Sequence, residues 1–121
     1  MKREAAIIFE TERLVVYPYT QDDNENFFLL NGDEEIMRYI RPAKTREESD
    51  AFLQQVITYS KENPLYGRWA VYEKQNHDFI GSFALIPVEK TGNMQLGYSL
   101  LKASWGKGYA TELTLAGLHY V

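Results

Sequence analysis

The residues of this 121-residue chain whose types and spacing could do chemistry are Trp105-Gly106-Lys107-Gly108-Tyr109-Ala110-Thr111. Glycines there let the backbone approach a ligand closely and reach positive φ. From Gly108 onward, Ala110, Leu113, Ala116, Gly117 and Tyr120 recur as one small, apolar face, which predicts a helix. The first amides of a helix have no acceptor inside it, and its dipole favours negative charge at that end. A pyrophosphate is the natural guest of such a turn. Lys107 would add a charge-assisted contact and Thr111 a hydroxyl donor. On spacing alone, the same pattern serves equally as an ordinary glycine turn ahead of a core helix. The phosphate-loop pattern fails, since Gly-Lys is not followed by Ser or Thr, and no three-glycine dinucleotide fingerprint occurs.

Composition removes several other chemistries. The chain has no cysteine, so disulfides, thiolate metal sites and a cysteine acyl-enzyme are excluded. His77 and His119 stand too far apart to form a local metal motif. His77 falls in a polar turn and His119 on the last helix, as solvated or packing residues. The formal net charge of -4 predicts no general attraction to nucleic acid or to an anionic membrane. No run of about 18 apolar residues occurs, and Met1-Lys2-Arg3-Glu4 lacks an apolar signal core, so the expected compartment is the cytoplasm. With 45% hydrophobic and 25% charged residues, the chain reads as one globular domain, 1-121.

The elements that must position the turn follow from periodicity. Arg13 to Tyr19 is β-branched and aromatic, a first strand. Thr20 is the expected cap of a helix carrying Phe27, Phe28, Leu29 and Leu30 and stopped by Asn31-Gly32. A short helical piece over Glu34 to Ile40 ends before Pro42. Thr45 and Glu48 form a capping box, and Phe52, Leu53, Val56, Ile57 and Ser60 line one face of the helix it opens. Arg68 to Glu73, Phe79 to Val88 and Met94 to Leu101 are three further strands, joined by turns at 75–78 and 90–93 and meandering as antiparallel hairpins. The order implies an α/β (α+β mixed) fold, a sheet with helices on its faces. The chain stops at Val121 inside a helix with no stop signal.

Trp105-Gly106-Lys107-Gly108-Tyr109-Ala110 resembles the pyrophosphate-binding motif of the GNAT family of N-acetyltransferases, Gln/Arg-x-x-Gly-x-Gly/Ala. Gly108 and Ala110 stand at its small positions, and Trp105 stands where that pattern prefers Gln or Arg. Leu96-Gly97-Tyr98-Ser99-Leu100 resembles the family's fourth strand. Glu10-Thr11-Glu12-Arg13-Leu14-Val15-Val16 resembles the opening of the RimJ/RimL-like branch, which acetylates ribosomal-protein N-termini. The resemblance runs from about Phe9 to Val121.

The resemblance implies a GNAT-like fold, with antiparallel central strands between two helical layers and its last strands absent. It implies acetyl-coenzyme A as cofactor and an amine as acceptor, either a peptide N-terminus or a small molecule, attacking the thioester directly. Tyr98, Ser99, Leu100 and Leu101 would lie against pantetheine, and Trp105 to Thr111 around the pyrophosphate. An amide near Leu100 would hold the developing oxyanion. Relatives in this branch often carry Glu where this chain has Gln95, which cannot take a proton at neutral pH, and Tyr98 is a candidate relay. The general acid of the family sits beyond Val121. Arg38, Tyr39, Trp69, Ser82 and Phe83 are candidates for the acceptor pocket. An open last strand would favour a homodimer. Two alternatives stand beside the enzyme: a non-catalytic coenzyme A-binding fragment, and an interaction module whose glycine turn binds nothing.

Overall fold

Leu14, Val16, Trp69, Val71, Phe83 and Leu85 stand at every second position of their strands and so share one face, the period of two that a sheet requires. A computed structural model describes residues 7–87 and 94–120. The strands are β1 (Phe9–Glu10), β2 (Leu14–Pro18), β3 (Gly67–Glu73), β4 (Phe79–Pro87) and β5 (Met94–Leu100). They lie in the order β1-β2-β3-β4-β5, with every neighbouring pair antiparallel. The two-residue β1, which pairs Phe9 with Val16, is an addition to the sequence expectation, so the fourth expected strand is β5. The expected turn at 90–93, the end of the third strand at 88 and the chain end at 121 lie outside the described residues, as does the expected start at 1–4.

The helices are α1 (Asn24–Asn31), α2 (Glu34–Met37), α3 (Arg46–Glu62) and α4 (Tyr109–Tyr120). The capping box of α3 forms as its residues dictate. Thr45 Oγ1 accepts from the Glu48 amide at 3.2 Å, and Glu48 accepts from the Thr45 amide at 2.9 Å. Helix α1 begins later than the Thr20 cap suggests, because Gln21–Asp23 forms a single 3-10 turn first. Asp23 is buried there and accepts from the Thr20 amide at 2.9 Å. Helix α2 ends at Met37 instead of Ile40, and its last residues pass into tight turns such as Ile40 N–H to Met37 O at 2.9 Å.

The sheet buries both faces. On one, Leu14, Val16, Trp69, Val71, Phe83 and Leu85 form a core with Tyr109 and Leu113 of α4. On the other, Tyr19 and Ala70 pack with Phe27 of α1 and with Leu53 and Val56 of α3. Gly117 marks how closely α4 lies on the first face, since a Cβ there would fall 2.4 Å from Phe83 Cζ and 2.9 Å from Leu96 Cδ2. The expected mixed α/β fold, with helices on both faces of antiparallel strands, is the observed one.

Candidate functional site

Gly106 and Gly108 have φ of 77° and 81°, the left-handed region that favours glycine. A Cβ at Gly106 would meet nothing within 4 Å, so there it is the backbone angle that selects glycine. The first bond of α4 runs from the Glu112 amide to the Gly108 carbonyl at 3.1 Å. The amides of Tyr109, Ala110 and Thr111 therefore precede the helical ladder and have no acceptor within it. The geometry fits a diphosphate: glycines clear the approach and backbone donors open onto it.

A clamp holds this turn from behind. Arg13, just ahead of β2, donates through Nη1 to the Lys107 carbonyl at 2.9 Å and through Nε to Glu112 Oε1 at 2.7 Å. Glu112 also accepts from the Arg13 amide at 3.0 Å and, by a short bond, from Thr11 Oγ1. The guanidinium lies 4.5 Å from the centre of the Tyr109 ring, whose hydroxyl donates to Glu73 Oε2 at 2.6 Å. Burial would raise the Glu112 carboxyl, but its bonds to Thr11 and Arg13 outweigh that and hold it below the usual carboxylate range. Tyr109, a residue of the turn in sequence, turns inward and is a buried brace.

In front of the turn lies an open groove of about 520 Å³. Ser99, Leu100, Trp105, Gly106, Gly108, Ala110 and Thr111, all candidate cofactor residues, line it together with Tyr98. Leu101, Lys107 and Tyr109 do not. Ile36, Tyr39 and Ile40 form the facing wall. That wall is tied to the end of β5 by Lys102, whose Nζ lies 3.3 Å from Asp33 and 3.4 Å from Glu35. Trp105 is half exposed, and its indole N–H donates to the Leu100 carbonyl at 2.9 Å. The Leu101 amide binds Ile80 O at 2.8 Å. Antiparallel alternation then turns Ser99 and Gly97 toward β4 and directs the amides of Tyr98 and Leu100 to the open side of β5. Tyr98 and Leu100 of the strand edge and Ala110 and Thr111 of the turn thus line one groove.

A second groove, about 310 Å³, adjoins the first and shares Tyr39, Ile40, Tyr98 and Ser99 with it. Arg41, Arg68, Ser82 and Gln95 are its polar walls. Of the residues expected at an acceptor pocket, Tyr39 and Ser82 line it. Trp69 and Phe83 do not: they are 1% and 0% exposed in the core beneath α4, stacked at 6.3 Å between ring centres. The reason is strand parity, because Arg68 and Ser82, one residue earlier in each strand, take the groove face. Arg38 is exposed and lines neither groove; Arg41, three residues on, takes that role.

Sequence reasoning missed Arg41 and Arg68. Arg41 is oriented by Asn31 Oδ1, which accepts from Nη1 at 3.1 Å. Burial lowers the pKa of Arg41, and burial together with Arg41 itself lowers that of Arg68. The floor of the groove is Ser82, joined to the buried Tyr19 hydroxyl by a short bond. Burial pushes the Tyr19 phenol well above its ordinary value.

Residues 13–121 match a family model described as the acetyltransferase (GNAT) domain. The chain is 28% identical over 105 residues to the uncharacterized protein YkkB of Bacillus subtilis, covering 83% of this chain and 59% of that one. It thus spans about three fifths of the length of the curated relatives it matches. Among solved structures it is similar to a GNAT-family acetyltransferase from Bacillus anthracis, with a TM-score of 0.81 and 20% identity over 95% of this chain and 65% of that one. It is also similar to RimL, a ribosomal-protein α-N-acetyltransferase solved with coenzyme A. There the TM-score is 0.77 at 15% identity, over 95% of this chain and 67% of that one. These likenesses agree with the observed fold. Among the described residues, no helix is long and apolar enough to cross a membrane.

Proposed function

The chain belongs to the GNAT acetyltransferase family, and we propose that it binds acetyl-coenzyme A in the groove beside β5 and transfers acetyl directly to a primary amine. One observation carries this reading: Ala110 and Thr111 at the opening of α4 line the same groove as Tyr98 and Leu100 on the free side of β5. The Gly106-Gly108 turn and the amides of Ala110 and Thr111 would hold the pyrophosphate, with Lys107, exposed beside the groove, as a counter-charge. The amides of Tyr98 and Leu100 would pair with the amide groups of the pantetheine arm, and the Leu100 amide would polarise the thioester carbonyl. When bound, acetyl-coenzyme A supplies an activated acetyl thioester.

The junction of the two grooves, walled by Tyr39, Tyr98 and Ser99, is where the acceptor amine would meet that acetyl group. Tyr98, half exposed there, is our candidate for relaying the amine proton. Acetyl-coenzyme A at 100 times its Kd should stabilise the fold by about 2.7 kcal/mol. Thiol release with a panel of amines tests transfer; protection without thiol release would leave binding alone.

A second reading is favoured by one feature. Among the described residues that line the second groove there is no carboxylate or histidine, and Gln95 is one of its polar walls. On that reading the chain binds coenzyme A without turnover, and detectable turnover overturns it. Self-association belongs to the first reading as well. Leu115 and Leu118, 56% and 59% exposed on α4, offer a second copy an apolar surface, and a monomer by light scattering at high concentration contradicts it.

A further inference from the structure

The second groove has a charge character that the acetyl-transfer reading leaves unused. Arg41 and Arg68 both line it, and among the described residues no Asp or Glu does. Elsewhere Arg13, Arg46, Lys74 and Lys102 each reach a carboxylate. Among the described residues, no carboxylate forms an ion pair with Arg41 or Arg68. Both guanidinium groups instead lie by the Phe52 ring, at 5.4 and 5.7 Å from its centre, with Lys44 Nζ at 4.9 Å. Three cations around one ring are held together by packing and repel one another. A cation–π contact offsets part of that cost and none of the mutual repulsion.

We infer that the acceptor is a primary amine bearing a carboxylate, which the paired guanidinium groups of Arg41 and Arg68 hold while the amine reaches the junction with the first groove. This rests on, and deepens, the reading of the chain as an amine acetyltransferase. Guanidinium forks match a carboxylate in plane and donate two parallel bonds, and neither arginine loses its charge at neutral pH. Burial disfavours both cations, and an incoming anion relieves that penalty. Arg41 is prepared for this role, since Asn31 fixes its guanidinium from the side of α1. Ser82 and Gln95 supply neutral hydrogen-bonding groups beside the two cations. A groove of about 310 Å³ suits a short, peptide-sized acceptor end.

The test compares two peptides of the same shape, glycyl-glutamic acid amide and glycyl-glutamine amide, which differ by one negative charge. Each is titrated calorimetrically into the 121-residue chain, with and without coenzyme A. The glutamyl peptide is expected to bind roughly tenfold more tightly, the size of one charge-assisted pair. In Arg68→Gln and in Arg41→Gln that preference falls to within about twofold, whereas Arg68→Lys keeps part of it through charge alone. A third peptide, glycyl-glutamine with a free C-terminus, separates a side-chain carboxylate from a terminal one. Equal binding of the first pair to the unaltered chain, no binding of any peptide, or a preference that survives both glutamine variants overturns the proposal. The heat of coenzyme A binding, measured alone, decides the cofactor reading independently.

Discussion

Arg13 binds Glu112 at 2.7 Å and the Lys107 carbonyl at 2.9 Å, so one side chain beside the first long strand holds both the glycine turn and the helix it opens. The turn's amides face forward because its carbonyl side is fastened behind. Binding donors fixed in advance cost less to order when a ligand arrives. Replacing Arg13 by Met is therefore expected to weaken coenzyme A binding by about tenfold, the equivalent of one charge-assisted bond, with the fold intact by circular dichroism. Unchanged affinity by calorimetry would remove Arg13 from the positioning role.

Glu112 gives the clamp a pH dependence. Its folded pKa is depressed, so its contribution to stability is fully present above the unfolded carboxylate value and is lost as pH falls through the folded one. Thermal melts from pH 7 down to pH 3 should show Tm falling, and Glu112→Gln should flatten part of that fall. At neutral pH the same variant should be less stable by about 1 kcal/mol, since the amide pairs poorly with Arg13. Parallel Tm profiles for the two proteins would contradict this.

Gly108→Val places a β-branched residue at a φ of 81°, which strains the backbone by about 1–2 kcal/mol. Space alone is not the obstacle, because the nearest atom to an added Cβ is Arg13 Nη2 at 3.4 Å, the far end of a flexible side chain. The variant should fold with a lowered Tm and lose protection by coenzyme A. Protection equal to that of the unaltered chain would mean that the turn does not bind the cofactor.

Gly117→Ala probes the seat of α4. Its Cβ would fall 2.4 Å from Phe83 Cζ, in a core where Phe83 already stacks on Trp69 and touches Phe9 edge-on. Overpacking of this kind costs about 1–3 kcal/mol, read as a lowered midpoint in urea. An unchanged midpoint would show that the helix can shift without penalty.

Local chemistry was legible wherever its partners were near in sequence. The Thr45-Glu48 capping box closes within four residues, and the positive φ at Gly106 and Gly108 is one that the glycines there permit. The antiparallel order of β3, β4 and β5 also followed, since few residues separate these strands in the sequence, whereas helices α1, α2 and α3 separate β2 from its partner β3. What was not legible depends on distant partners. The fastening of Thr11 and Arg13 to Glu112 spans about a hundred residues, so the Thr-Glu-Arg-Leu segment carried a resemblance without a reason until the fold supplied one. Strand parity is the other case. Whether Trp69 or Arg68 turns to the groove is decided by which face α4 covers, and no periodicity within β3 states that. Similarly, Arg41 rather than Arg38 enters the groove because α2 ends at Met37 and the tight turns after it redirect the chain.

The central claim is tested most directly by titrating coenzyme A into isotope-labelled chain and following each backbone amide by NMR. The account predicts the largest shifts at Gly106, Gly108, Ala110 and Thr111, with a second set at Tyr98 and Leu100, and little change around Phe52. Saturation without perturbation of the Gly106 to Thr111 amides, or shifts centred elsewhere, would contradict it.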